Sequence, residues 1–300
     1  MISPTFAILL AQAPYLPMRV ETYCTVDGKP LTMNVFMPAG ITTPTPAMVE
    51  IHGGWFVGGG PMGDVPGPIQ RQRAAFFSIQ YRLGDEGGFP QCIRDCRNAI
   101  RFIRKNADRF HIDPNRIACM GGSAGGHLSL MVAMVPEKFN DGGPTPGLEG
   151  VSARVCGSFS WIPPTDFVKF WNQGPRDEVT GPDGKISYRS WNDGIPNDSR
   201  PHLRRLFHGI SPDSEGGAKI YTEMSPIGHV NRRVPPLLIC DGDHDPIVPG
   251  REGQDLYDKL RSAGADATYW HSDGGHAYPN GDGFDSLLDA FLGKIFHDPR

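Results

Sequence analysis

A serine with glycines two positions to either side, in Gly121-Gly122-Ser123-Ala124-Gly125, follows the apolar run from Ile117 and precedes Leu128, Met131, Val132 and Val135 at helical spacing. That order predicts strand, tight turn and helix, with Ser123 at the apex. Where strand and helix pass each other there is no room for a Cβ, which explains the glycines, and the turn pushes the hydroxyl into the open as a nucleophile. An ordinary glycine turn is the competing reading, and the flanking strand and helix favour the chemical one. Upstream, the short strand Ala47–Ile51 runs into His52-Gly53-Gly54-Trp55. Consecutive glycines let backbone N–H groups face a ligand unobstructed, as the negative oxygen of an acyl-transfer transition state requires. Gly58-Gly59-Gly60 shows that the chain also uses glycine freely. The order favours an oxyanion hole built from Gly53, Gly54 and Ala124, the residue after the nucleophile.

The elements that must hold these groups follow from the rest of the chain. Its 300 residues can form one large α/β domain or two small ones, and 39% hydrophobic with 21% charged residues describes a globular protein. A net charge of −4 without a separate basic block argues against a nucleic-acid partner. No apolar run reaches bilayer-spanning length. Residues 1–18 read as a residual signal or a disordered tail: Phe6–Ala13 resembles the end of a signal peptide but lacks a preceding basic residue, which leaves export and cytoplasmic residence both open. The six cysteines form no CxxC pair, and Cys92 and Cys96 fit a helix core.

Arg19–Val26 and Leu31–Phe36 flank Asp27-Gly28-Lys29 as a predicted hairpin. Ala75–Tyr81 reads as a strand. Gln91–Asn106 reads as an amphipathic helix whose Arg94, Arg97, Arg101 and Arg104 are expected on a solvated face. Asp113-Pro114-Asn115 reads as a turn, Val151–Ser160 as the next strand, and Pro236–Cys240, Arg251–Ser262, Ala267–Trp270 and Phe284–Phe296 as strand, helix, strand and helix. This alternation predicts a mostly parallel sheet with right-handed crossovers. Between Trp161 and Glu223 periodicity fades, and Trp161, Phe167, Phe170, Trp171, Tyr188 and Trp191 fit a small core better than a binding face.

His52–Trp55, Tyr81-Arg82-Leu83, Gly121–His127, Ser225-Pro226 and Asp241–Pro249 together resemble the α/β-hydrolases. Within them the chain resembles the hormone-sensitive-lipase-like and carbohydrate-esterase branch, the feruloyl/acetyl xylan esterase-like group. The resemblance implies one α/β-hydrolase domain over 19–300: a mostly parallel central sheet flanked by helices, with a cap insertion at about 161–223. It also implies a serine carboxylic ester hydrolase needing neither metal nor organic cofactor, acting on small-molecule or carbohydrate esters, with oligomeric state open. By likeness to an Asp-Pro-x-Val-Pro pattern, Asp245 is the triad acid, and His276, after Gly274-Gly275, completes the order Ser, Asp, His. Trp55 is expected to contact substrate. Asp241 and Asp243 read as turn formers, His127 as structural, and His271 as a strand residue facing the sheet. Asp241, Asp243, Asp245 and Glu252 imitate a calcium loop, but Pro246 occupies the position that needs φ above zero. Short acetyl or feruloyl groups are the favoured acyl portion. A generic carboxylesterase or lipase, a small oligopeptidase and a non-catalytic ligand-binding relative are the alternatives.

Overall fold

The computed structural model describes residues 14–173, 178–180, 186–188, 200–248 and 251–297. Its strands are β1 (Arg19–Val26), β2 (Lys29–Phe36), β3 (Thr45–Ile51), β4 (Ala75–Ile79), β5 (Ile112–Gly122), β6 (Ser158–Trp161), β7 (Glu178–Thr180), β8 (Ile186–Tyr188), β9 (Leu237–Gly242) and β10 (Ala267–Ser272). Eight form one sheet in the order β1-β2-β4-β3-β5-β6-β9-β10, and β7 with β8 makes a separate antiparallel pair. The β1–β2 hairpin turns at Asp27 and Gly28, both at positive φ, and β2 pairs antiparallel with β4. From β4 to β10 every pairing is parallel. Crossover helices cover both faces of such a sheet. Accordingly β3 and β9 are buried at every residue.

The α-helices are α1 (Gly67–Arg71), α2 (Gln91–Lys105), α3 (Ala107–Phe110), α4 (Ala124–Met134), α5 (Phe167–Gln173), α6 (Arg200–Leu206), α7 (Gly217–Met224), α8 (Glu252–Ser262) and α9 (Phe284–His297). Alternation along β3 sorts the core. Val49 and Ile51 join Ile93, Ile100, Leu128 and Met131 on the α2/α4 side, whereas Met48 joins Ile69, Leu288 and Leu292 on the α1/α9 side. Cys92 and Cys96 are free thiols fully buried on the first side.

The structure corrects two expectations together. Arg97 and Arg101 are buried, 1% and 3% exposed, rather than solvated. Arg97 pairs with Asp141 at 2.7 Å and donates to the Glu137 carbonyl at 2.9 Å, and Arg101 donates to Asn98 and to the Val151 carbonyl. Arg94 donates to Gly143, and Arg104 to the carbonyls of Ser152 and Arg154. The carbonyls of Val151, Ser152 and Arg154 thus find guanidinium donors instead of a ladder, and the strand expected from Val151 begins at Ser158. Asp113–Arg116 lies within the bounds of β5 as a register shift against β3, held by the Asn115 amide donating to Asp113. Residues 1–13 of the expected tail lie outside the described residues. Beyond them, Leu16 bonds the Met37 carbonyl, and the Tyr15 hydroxyl donates to Ala74 at 2.6 Å. Among the described residues no helix is long and apolar enough to cross a membrane.

Candidate active site

Gly122, Trp161, Cys240 and Trp270 are register partners across β5, β6, β9 and β10; β5 and β6 end at that level, and β9 and β10 run two residues further, to Gly242 and Ser272. Ser123 is the next residue beyond that line on β5. Asp245 and His276 follow β9 and β10 on loops leaving the same edge.

At the end of β5 the backbone makes the expected sharp turn. Ser123 has φ 56° and ψ −125°, a conformation that costs about 1–3 kcal/mol and must be held by its surroundings. Its N–H donates to the Trp161 carbonyl at 2.9 Å, and its own carbonyl accepts from His127 N–H at 2.9 Å in the first turn of α4. A Cβ on Gly121 would lie 2.5 Å from the backbone of Gly125 and of Ile51, and one on Gly125 only 1.9 Å from the Ile51 carbonyl oxygen. The two flanking glycines therefore let strand, helix and the end of β3 touch.

That contact brings the early glycine loop to the serine. A Cβ on Gly53 would meet the Gly122 carbonyl at 2.9 Å and Ser123 Cβ at 3.5 Å. Gly54, at φ +112°, accepts from the N–H groups of Val57 and Gly58 and leaves no space for a side chain. Among the described residues, the N–H groups of Gly53, Gly54 and Ala124 donate to no protein acceptor. For Ala124 this follows from its place in the first turn of a helix. His52 steadies the loop: its ring stacks on Tyr81 at 4.4 Å, and Nδ1–H donates to the Gly53 carbonyl at 2.7 Å. Because a trans peptide points its C=O and N–H in opposite directions, this bond turns the Gly54 N–H away from His52. Burial holds the His52 pKa below its ordinary value, so the ring is neutral at neutral pH.

Asp245 and His276, the expected acid and base, come together on the other loops. His276 Nδ1–H donates to Asp245 at 2.8 Å from Oδ2 and 3.0 Å from Oδ1, with the carboxylate buried and the imidazole partly open. Asp245 Oδ1 also accepts the backbone N–H of Ile247 and Val248 at 2.8 and 3.0 Å. With Nδ1 carrying the proton of this bond, Nε2 of the neutral ring is left as an acceptor. The loops are stitched together by Asp243 N–H to Ser272 O and His244 N–H to Gly274 O, and a Cβ on Gly242 would strike the Gly275 carbonyl at 2.4 Å. The side-chain hydrogen bonds of His276 go to Asp245, and none joins it to Ser123 Oγ.

The competing residues have other partners. His127 is fully buried and bonds Pro164 O through Nδ1 at 2.9 Å, with burial pushing its pKa down to about 3. His271 does not face the sheet: it is exposed and pairs with Asp243 at 3.2 Å. Asp241 is more than a turn former, for it crosses to α8 and accepts from Gln254 N–H at 3.0 Å and from the Tyr269 hydroxyl at 3.1 Å. Among the described residues no three His, Cys, Asp or Glu side chains are grouped to hold a metal ion.

Sequence reasoning missed Glu252, the fully buried first residue of α8. Its Oε2 accepts from Thr165 N–H and Asp166 N–H, both at 2.8 Å, and from the Thr165 hydroxyl, which fixes the approach to α5. Oε1 has no partner, and burial raises the pKa to about 7. Trp55 stacks with Phe170 of α5 at 6.1 Å and His202 of α6 at 5.1 Å. Phe167, Phe170 and Trp171 are core residues of this segment; the side chains of Tyr188 and Trp191 lie outside the described residues.

A mostly parallel eight-stranded sheet with a serine elbow, a glycine loop against it and an Asp–His pair on the last loops defines an α/β-hydrolase. The BD-FAE family matches residues 33–260, and the chain belongs to that family. Two Mycobacterium tuberculosis proteins are similar to it. The probable carboxylic ester hydrolase LipM is 25% identical over 74% of this chain and 46% of its own length, and the esterase LipC 27% identical over 85% and 57%. The chain thus spans about half the length of these relatives. Among solved structures, the truncated form of a carbohydrate esterase from gut microbiota superposes with TM-score 0.70 at 23% identity, covering 95% of this chain and 98% of that one. A thermophilic esterase of the planctomycete Thermogutta terrifontis gives 0.65 at 22% identity, covering 94% of each.

Proposed function

We propose that the protein is a serine carboxylic ester hydrolase. Ser123 Oγ attacks the acyl carbonyl while His276 Nε2 takes its proton, and Asp245 holds the imidazole in the tautomer that leaves Nε2 free to accept it. The N–H groups of Gly53, Gly54 and Ala124 receive the oxyanion. The alcohol departs with the proton from His276, and water then cleaves the acyl-enzyme. The observation that carries this reading is the buried Asp245–His276 pair on loops leaving the sheet edge where Ser123 sits strained against Gly53. The names of LipM and LipC support the reaction class.

Short acyl groups, acetyl or feruloyl, on carbohydrate esters are the favoured substrates, supported by family membership and by the carbohydrate esterase among the structural neighbours. Segment 161–223 serves as a cap, with Phe170 and His202 closing on Trp55. The test is hydrolysis of a p-nitrophenyl acyl series, acetylated xylan and methyl ferulate by wild type and Ser123→Ala. The reading expects the substitution to reduce kcat by on the order of 10⁴–10⁶-fold. An unchanged rate rejects it, and wild-type turnover of p-nitrophenyl esters alone rejects the carbohydrate assignment.

A further inference from the structure

Two residues past His276, Tyr278 is 42% exposed; the other large exposed apolar side chains among the described residues, Leu16, Met18 and Val20, belong to the β1 end of the sheet. Its ring is nevertheless firmly seated. It meets Trp161 edge-on at 5.3 Å and 69°, and Phe159 and Phe284 at 6.1 and 5.9 Å, also near perpendicular. Phe159 and Phe284 are buried. Trp161 lies directly against the elbow: a Cβ on Gly122 would fall 2.2 Å from its indole nitrogen, and its carbonyl accepts the Ser123 N–H. Tyr278 is thus a partly open aromatic side chain on the base loop, seated on β6, the strand beside the nucleophile strand, and on α9.

This surface is separate from the one around Trp55. Trp55 and Phe170 pack with the α2/α4 core, whereas Trp161 packs with the α1/α9 core on the other face of the sheet. An ester has two halves, and the chemistry distinguishes them. When the tetrahedral intermediate collapses, the bond from the acyl carbon to the alcohol oxygen breaks, that oxygen keeps the electron pair, and it takes the proton from His276 Nε2. The alcohol half therefore passes the imidazole, on the loop that carries Tyr278.

We infer that Tyr278, backed by Trp161, is the platform for the alcohol half of the substrate and selects alcohols with a flat or ring-shaped apolar face, such as a pyranose or an aryl group. The assignment rests on the ester-hydrolase reading. Stacking on a fixed aromatic ring is worth about three- to tenfold in binding.

The test uses acetates differing only in the alcohol: ethyl acetate, phenyl acetate and a monoacetylated methyl xyloside, with wild type, Tyr278→Ala and Tyr278→Phe. Tyr278→Ala is expected to lower kcat/KM about three- to tenfold for the phenyl and xyloside esters and to leave ethyl acetate within about twofold, while Tyr278→Phe keeps the wild-type pattern. Deacylation, read from the steady phase after a p-nitrophenyl acetate burst, is expected to be the same in all three, because every acetate gives the same acyl-enzyme. An equal loss for all three alcohols, or an altered deacylation rate, overturns the assignment by showing that Tyr278 acts on His276 or the fold. If Ser123→Ala removes no acetate hydrolysis, the ester-hydrolase reading falls and this assignment with it; Ser123-dependent turnover without alcohol selectivity removes this assignment alone.

Discussion

The two halves of the candidate site are held by opposite means. Around Ser123 the structure depends on side chains that are missing: Gly53, Gly121, Gly122 and Gly125 let β3, β5, α4 and Trp161 approach to distances at which any Cβ would collide. Around His276 it depends on a side chain that is present, the Asp245 carboxylate, which accepts two backbone N–H groups from its own loop and the imidazole from the next. The first half is steric, set by close backbone approaches between the end of β3, the β5–α4 turn and Trp161. The second is polar, set by one carboxylate that binds an imidazole 31 residues away on the next loop.

The largest effect is expected where the polar half is cut. Asp245→Asn keeps the size of the side chain but favours the wrong imidazole tautomer, so kcat is expected to fall by on the order of 10⁴-fold with an unchanged circular dichroism spectrum. A loss below tenfold would mean that another group orients His276. Next comes the glycine half. Gly53→Ala adds a methyl 2.9 Å from the Gly122 carbonyl oxygen, a backbone atom, so the loop must move. Displacing the oxyanion donors is expected to cost about 10²–10³-fold in kcat with KM changed only a few-fold. Full activity in steady-state assays would place the oxyanion donors elsewhere.

The smallest effect is on stability rather than rate. Glu252 ties the base side of the molecule to the approach to α5, and its pKa is raised from 4.5 to about 7 by burial. Between those values the folded state holds the extra proton. This group's stabilising contribution is therefore complete below pH 4.5 and is lost as pH rises through 7. Glutamine does not titrate, so Glu252→Gln is expected to flatten the fall in unfolding free energy between pH 5 and pH 8 by on the order of 1–3 kcal/mol. Urea unfolding of both proteins at the two pH values measures it, and parallel changes would show that Glu252 does not carry the titration. Glu50, raised to about 7 as well, is common to both proteins and cancels. His127 has the opposite sign, its contribution being lost as pH falls from 6.5 toward 3.

The same contrast explains what could be read from the residues alone. The elbow, the glycine loop and the hairpin at Asp27-Gly28 declare themselves because steric rules act over a few neighbours. The pairing of Asp245 with His276 came through likeness to a known pattern, since nothing local to either residue points to the other. Arg97 and Arg101 show why the remaining elements were hidden. Their periodicity matches a solvated helix face, yet Arg97 reaches acceptors at Glu137 and Asp141 and Arg101 one at Val151, 40–50 residues further on, and those bonds bury both arginines. Glu252 was hidden for the same reason, because its donors on Thr165 and Asp166 come from the far side of the chain. Polar pairing across long separations leaves no period in the sequence.

One consequence follows from the shared edge at which β5, β6, β9 and β10 finish within two residues of one another. The segments beyond that edge are launched from strands whose residues Met120, Phe159 and Leu238 are buried in one core. Lengthening or exchanging the stretch after Trp161, or the loop after Ser272, is expected to alter what is recognised and to leave the packed layers below undisturbed. Selectivity and foldability are consequently free to evolve on separate parts of the chain.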